Sequence, residues 1–236
     1  MRREERIPLF PLHTVLLPGV HLPLHIFEPR YRQLIRELIS GELPGREFGV
    51  LAIRNALVNE VGGIEQVHEI GCVALLREAR PQDGGRYDIV TTGSHRFRLR
   101  ELITDEAPYL LGDVQWLADV GVSEEADAPE EAPPTAVVVA AARAAHERYC
   151  ESAWADGDWS TPPEDTPVER LAYLLAADCL LPLADRQALL AEPDPIRRLG
   201  LTSVLLNREA GFLVALGAVP VQHGELGDLG AHAKLN

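Results

Sequence analysis

Through the first half of the chain, apolar and β-branched residues alternate with polar ones or gather in short runs, and nearly every run stops at Gly or Pro. That punctuation predicts strands over Ile7–Phe10, Val20–Phe27, Phe48–Arg54, Ile70–Glu78, Tyr87–Thr92, His95–Leu102 and Leu110–Leu117. The Gln82–Arg86 segment, QDGGR, reads as a hairpin turn, because Asp-Gly and Gly-Gly accept the positive φ of tight turns; Gly93-Ser94 marks a second turn or a bulge. One helix interrupts the strands. Tyr31, Leu34, Ile35, Leu38 and Ile39 recur at helical spacing after Pro29, whose fixed φ and missing N–H suit a first helical turn, and Arg30, Arg32 and Arg36 fall on the other face. Glu28 precedes that proline and is pushed to extended backbone, so the strand ends and the helix begins at one corner.

The pattern changes after residue 118. Residues 119–135 hold six acids and no base, with Ala, Pro and Gly, and read as a linker; residues 156–167 are similar. Helical periodicity then covers Ala136–Ala155, Val168–Cys179, Leu183–Glu192 and Pro195–Leu216, and residues 218–236 read as a loose tail. Strands first and helices afterwards predict an α+β chain: a β-rich subdomain over 1–118 and a helical subdomain over 136–217.

Composition narrows the chemistry. The formal charge of −14 is uneven, net −2 over residues 1–118 and −12 over the remainder, which opposes nucleic-acid binding by the second half. Of 22 basic residues only Lys234 is a lysine. A phosphate-binding P-loop needs its Lys directly ahead of a helix, and Ser-Lys or Schiff-base chemistry needs the same amine; neither is provided for. Cys72, Cys150 and Cys179 are odd in number and far apart, which suggests neither a disulfide framework nor a zinc ribbon and fits a reducing cytoplasm. The N-terminus is too broken by Pro and His to predict a signal or a spanning helix, so no membrane partner is expected.

The stretch IPLFPLHTVLLPGVHLPLHIFEPRYRQLI, Ile7 to Ile35, closely resembles the opening of the Lon protease N-terminal, substrate-binding domain family. The likeness continues in FGVLAIRN (Phe48–Asn55), EIGCVALL (Glu69–Leu76), DGGRYDIVTTGSHRFRL (Asp83–Leu99) and the helical stretch Leu180–Glu209. The resemblance implies an N-terminal PUA-like β pseudo-barrel closed by one helix and followed by a C-terminal helical bundle. It also implies a module that catches unfolded or tagged polypeptides, without the ATPase and peptidase domains, and works as an adaptor to a protease or chaperone. No enzyme activity and no cofactor are expected, and the residues alone do not fix an oligomeric state.

Several constellations carry two readings. His21 and His25 share one strand face but lie roughly 13 Å apart along it, too far for one metal ion. Arg96, Arg98 and Arg100 alternate with Phe97 and Leu99, giving either a solvated, ion-paired sheet face or, with Arg30, Arg32 and Arg36, a basic surface for acidic peptides; RNA or small-ligand binding on that face is the alternative function. The apolar Val15–Gly19 turn and the strand around Leu22 and Leu24 are either core or a site for an extended peptide. The Glu28 corner either orients its helix or touches ligand. The candidate peptide-binding residues are therefore Leu16, Leu17, Leu22, Leu24, Glu28, Arg30, Tyr31, Arg96 and Arg98.

Overall fold

A computed structural model describes residues 4–58, 60–119, 135–154 and 159–216. Residues 120–134 of the expected linker and all of the expected tail, 218–236, lie outside the described residues. The described chain divides into two compact units, the first holding the strands.

Six strands are described: β1 (Glu4–Leu12), β2 (His21–Ile26), β3 (Glu47–Ala52), β4 (Ile70–Gln82), β5 (Arg86–Ile103) and β6 (Leu110–Leu117). Their order is β2-β5-β4-β3-β1-β6, and a further β5–β6 pairing closes five of them into a ring with β2 appended to β5. Only β1 and β3 run parallel; the other pairs are antiparallel. The length of β5 makes closure possible. Its first half pairs with β2 and its second half with β6, while β4 runs along much of both. The two strands expected over 87–92 and 95–102 are thus one. The register passes from Ala74↔Gly93 to Cys72↔Arg96, leaving one extra residue on β5, so Gly93-Ser94 belongs to a bulge.

Inside the ring, Leu9, Leu51, Val73, Phe97, Leu99 and Val114 are buried together. The Leu17-Pro18-Gly19-Val20 segment enters β2 through a type II turn: Val20 N–H donates to Leu17 O at 3.1 Å, Pro18 fills the second position, and Gly19 holds φ 82° in the third. Gly93 receives this turn. A Cβ there would stand 2.2 Å from Leu17 O, so only glycine admits the carbonyl.

Helix α1 (Pro29–Ser40) follows β2 directly, starts at extended Glu28 and stops at left-handed Gly41. Tyr31, Leu34, Ile35 and Leu38 are buried as the periodicity predicts. Ile39 is 46% exposed, because the last turn carries it past the edge of the stripe. The opposite face is less open than its charges suggest: Arg32 Nη1 donates to Gly84 O at 2.6 Å and ties the helix to the β4–β5 hairpin tip, where Gly84 and Gly85 adopt positive φ.

The helix α4 (Leu183–Ala191) groups with the strands rather than with the other helices. Two polar contacts account for this. Gln187 Nε2 donates to Ile70 O at 3.0 Å, and Arg96 reaches the carbonyls at the end of the helix. The segment expected as one helical subdomain, 136–217, is therefore shared between the two units.

The second unit contains α2 (Thr135–Ala153), α3 (Val168–Leu175) and most of α5 (Pro195–Leu216), built on Ala142, Leu171, Ala172, Leu175 and Leu199. Within it Arg198 is fully buried, donating to Glu169 O at 2.9 Å with its guanidinium 4.3 Å from the Tyr173 ring centroid. By length and composition α5 could cross a bilayer, with mean hydropathy 1.3. Its Arg198, Leu199, Thr202 and Leu206 are buried, whereas Val204, Phe212, Val214 and Leu216 are exposed, so only 28% of its most apolar 18-residue window is buried.

Candidate functional site

The corner between β2 and α1 borders a groove of 430 Å³. Phe10 and Leu12 of β1 and Ile53 just after β3 contribute apolar groups, His13 and Glu60 contribute polar ones, and Phe27, Glu28 and Arg30 come from the corner itself. Phe10 is buried and stacks on Tyr31 with ring centroids 3.8 Å apart and planes 14° from parallel. Arg30 lies over the Tyr31 ring at 4.8 Å and is held by Glu28, with Nε donating to a carboxylate oxygen at 2.9 Å and Nη2 2.8 Å from the same oxygen. Burial pushes the Tyr31 phenol up to about 12, so it stays neutral. Phe27 is 62% exposed, ring to ring with His25 at 6.3 Å.

A second hollow, 330 Å³, lies on the outer sheet face where Pro23 and His25 of β2 meet Asp88 and Val90 of β5 and Arg80 of β4. His25 and Asp88 are directly opposed, with Nδ1 and Oδ1 2.6 Å apart, and Gln82 donates to the other carboxylate oxygen. Chiefly because of the His25 hydrogen bond, the Asp88 carboxyl sits below its ordinary value of 3.8. A depressed carboxylate contributes stability above the unfolded-state value and loses it as pH falls through the folded one, so this contribution disappears in the window below about 3.8. In His25→Ala, the Asp88 titration followed by carboxyl NMR is expected to move upward toward 3.8; an unmoved midpoint would assign the shift to another neighbour.

The candidate residues are spread across different environments. Glu28 and Arg30 line the corner groove, and Leu24 lines the sheet hollow; Leu22 is half-buried on β2. Leu16 and Leu17 are buried at 3% and 0% exposure, which places that turn in the core and leaves no side-chain surface for a peptide. Tyr31 is floor rather than contact surface. The arginine stripe does not assemble. Arg96 is 4% exposed and engaged with main-chain carbonyls and Asp119, whereas Arg98 pairs with Glu69 at 3.1 Å, so the basic face on which an RNA reading depended is absent there. Reasoning from residues missed Phe27. The alternation exposed His25, buried Ile26, exposed Phe27 carries the signal, since a large aromatic ending a strand on the outward parity faces solvent unless a distant element covers it.

Cys150 and His146 approach to 3.5 Å on one face of α2, but both are buried, and burial pushes the thiol up to about 11 and the imidazole down. Among the described residues no group of three His, Cys, Asp or Glu could hold a metal ion.

The sequence profile described as the ATP-dependent protease La (LON) substrate-binding domain matches residues 6–208. The chain belongs to the LON substrate-binding domain family. Its curated relatives include Lon protease 2 of Myxococcus xanthus, 27% identical over 88% of this chain and 24% of the relative, and the Lon protease of Syntrophus aciditrophicus (strain SB), 31% identical over 51% of this chain and 15% of the relative. The chain thus spans a quarter or less of the Lon proteases it matches. Among solved structures it is similar to a Lon N-terminal domain protein from Xanthomonas campestris, at 26% identity and TM-score 0.54 over 83% of this chain and 95% of that one. It also shares its fold with the N-terminal domain of Mycobacterium avium complex Lon protease, at TM-score 0.58 and 18% identity over 86% and 98% of the two chains. The barrel-plus-helix architecture expected from the LON motif is the architecture found.

Proposed function

We propose that this LON domain is a non-catalytic binding module that holds apolar segments of unfolded polypeptides at the Phe27 groove, and serves as an adaptor to a protease or chaperone in a reducing cytoplasm. The observation that carries the proposal is a large aromatic, 62% exposed, beside a groove of mixed polar and apolar lining at the corner of the family's own motif. Exposed aromatics beside concave surface are characteristic of protein-binding sites. Family membership supports polypeptide recognition, and the raised Cys150 thiol and the single lysine support holding without turnover. Three buried free cysteines fit the reducing compartment.

The experiment is a fluorescence-anisotropy titration with a labelled, permanently unfolded client, comparing wild type with Phe27→Asp. Saturable binding is expected, weakened about tenfold or more by the substitution while the melting temperature holds. Flat anisotropy at tens of micromolar protein would contradict the proposal.

A further inference from the structure

Among the described residues β2 ends the sheet, with β5 as its one neighbour in the strand order. Gly93 N–H donates to Val20 O at 2.9 Å and Thr91 Oγ1 donates to Leu22 O at 3.0 Å, so the carbonyls of residues 20 and 22 face β5. Antiparallel pairing alternates, which turns the main-chain groups of His21, Pro23 and His25 toward the free edge. Their side chains are exposed as well. Sheet edges are commonly guarded by charged side chains, bulges or a covering loop; HLPLHI holds no Lys, Arg, Asp or Glu, and its one guard is Pro23, which has no N–H to give.

That proline selects among occupants. Two copies pairing antiparallel about Pro23 would oppose two prolines, leaving both carbonyls without a donor, whereas a foreign strand forfeits one bond and keeps two donors and three acceptors on the β2 side. The sheet hollow beside Pro23 and His25 and the groove beside Phe27 are lined by nearly consecutive residues, roughly 13 Å apart along an extended chain. The polar groups of the hollow already have partners: Arg80 pairs with Glu78, and the Asp88 carboxylate is engaged by His25 Nδ1 and by the Gln82 amide. Nothing in that hollow calls for a charged partner; it calls for backbone and apolar side chains.

We propose that an extended segment of unfolded polypeptide adds to β2 as a new edge strand, bonding to the main chain of His21, Pro23 and His25 and placing an apolar side chain in the Phe27 groove. This rests on the polypeptide-binding reading above and specifies how the chain is held: sequence-tolerant backbone pairing supplies length, and the exposed Phe27 ring supplies the apolar preference.

The test is residue-resolved amide exchange by NMR on the full chain, with a synthetic peptide alternating Leu and Thr between terminal arginines, and with the same peptide N-methylated at every residue between the arginines, so that neither strand edge can donate. The unmodified peptide is expected to slow exchange at His21 and His25 about tenfold or more and to leave Leu22 and Leu24, already bonded to β5, unchanged; the methylated peptide, whose edge donors are blocked, is expected to lose that protection and most of its affinity. Binding that shifts the Phe27 ring resonances while His21 and His25 exchange freely, or equal affinity for both peptides, would overturn strand addition and leave polypeptide binding standing. Protection that appears without peptide and grows with protein concentration would assign the edge to a second copy and overturn it also. Absence of binding by either peptide would remove the polypeptide-binding reading and this inference together.

Discussion

Replacing Arg96 with alanine is expected to destabilise the barrel unit by about 3–5 kcal/mol, the cost of removing one partner from a buried, charge-assisted network. The guanidinium is 4% exposed. Nη1 donates to Leu190 O at 3.0 Å and Glu192 O at 3.2 Å, closing the C-terminal end of α4, while Nη2 reaches Ala118 O at 3.5 Å and Asp119 Oδ1 at 2.5 Å just after β6. Without it, carbonyls that have left water lose their donor, and each such orphan costs roughly 1–3 kcal/mol. Asp119 keeps some contact with solvent, so the loss falls more on the carbonyls than on the carboxylate. Arg98→Ala, two residues along the same strand, is the internal control: its pair with Glu69 is exposed, at 37% and 55%, and its removal is expected to cost less than about 1 kcal/mol. Urea melts of the two variants measure the contrast, and amide exchange across Leu183–Ala191 should accelerate in Arg96→Ala alone. Equal midpoints would show that Arg96 is not the clamp.

Tyr31→Ala is the second large effect, expected at about 3–5 kcal/mol, as for other large aromatics truncated in a core. The ring is 4% exposed, stacks on Phe10 and carries Arg30 on its other side, so its loss opens a cavity beneath the corner groove and releases the helix from the sheet. Tyr31→Phe keeps the stack and is expected within about 1 kcal/mol of wild type. The melting temperature decides, and an unchanged value for Tyr31→Ala would contradict the register of α1 against β1.

Much of this architecture was legible in the residues because it is locally encoded. The Glu28-Pro29 corner, the Leu-Pro-Gly turn and the Tyr31–Leu38 stripe each depend on a few neighbours, and each is found where propensity and periodicity put it. The alternation of Phe97 and Leu99 likewise named the inward face of β5. What failed was long-range. Arg96 has outward parity on its strand, and parity alone says solvent; α4, from more than ninety residues later, covers it. The same limit applies to Leu16 and Leu17, whose burial depends on Gly93 giving the turn a place to sit. Phe27 escaped for the opposite reason, since its exposure followed from parity and an aromatic at the end of a strand invites assignment to the core.

The peptide-holding surface proposed here is contiguous in sequence, from His21 to Arg30, although the scaffold that presents it is not. β2 hangs from β5 by the register that brings His21 opposite Thr92 and Ile26 opposite Tyr87, and α1 is tied to the hairpin tip through Arg32. A ligand lying along this stretch would touch residues held at both ends by the barrel, so little ordering entropy would remain for the protein side.

The decisive measurement is a binding titration of the full chain against one polypeptide in two forms, native and permanently unfolded, with the intact mass of the client read at the end. Saturable binding of the unfolded form, little for the native form, and a client of unchanged mass are expected. Equal binding of both forms, or cleaved client that disappears on a point substitution in this chain, would contradict the assignment of a module that holds unfolded polypeptide without cutting it.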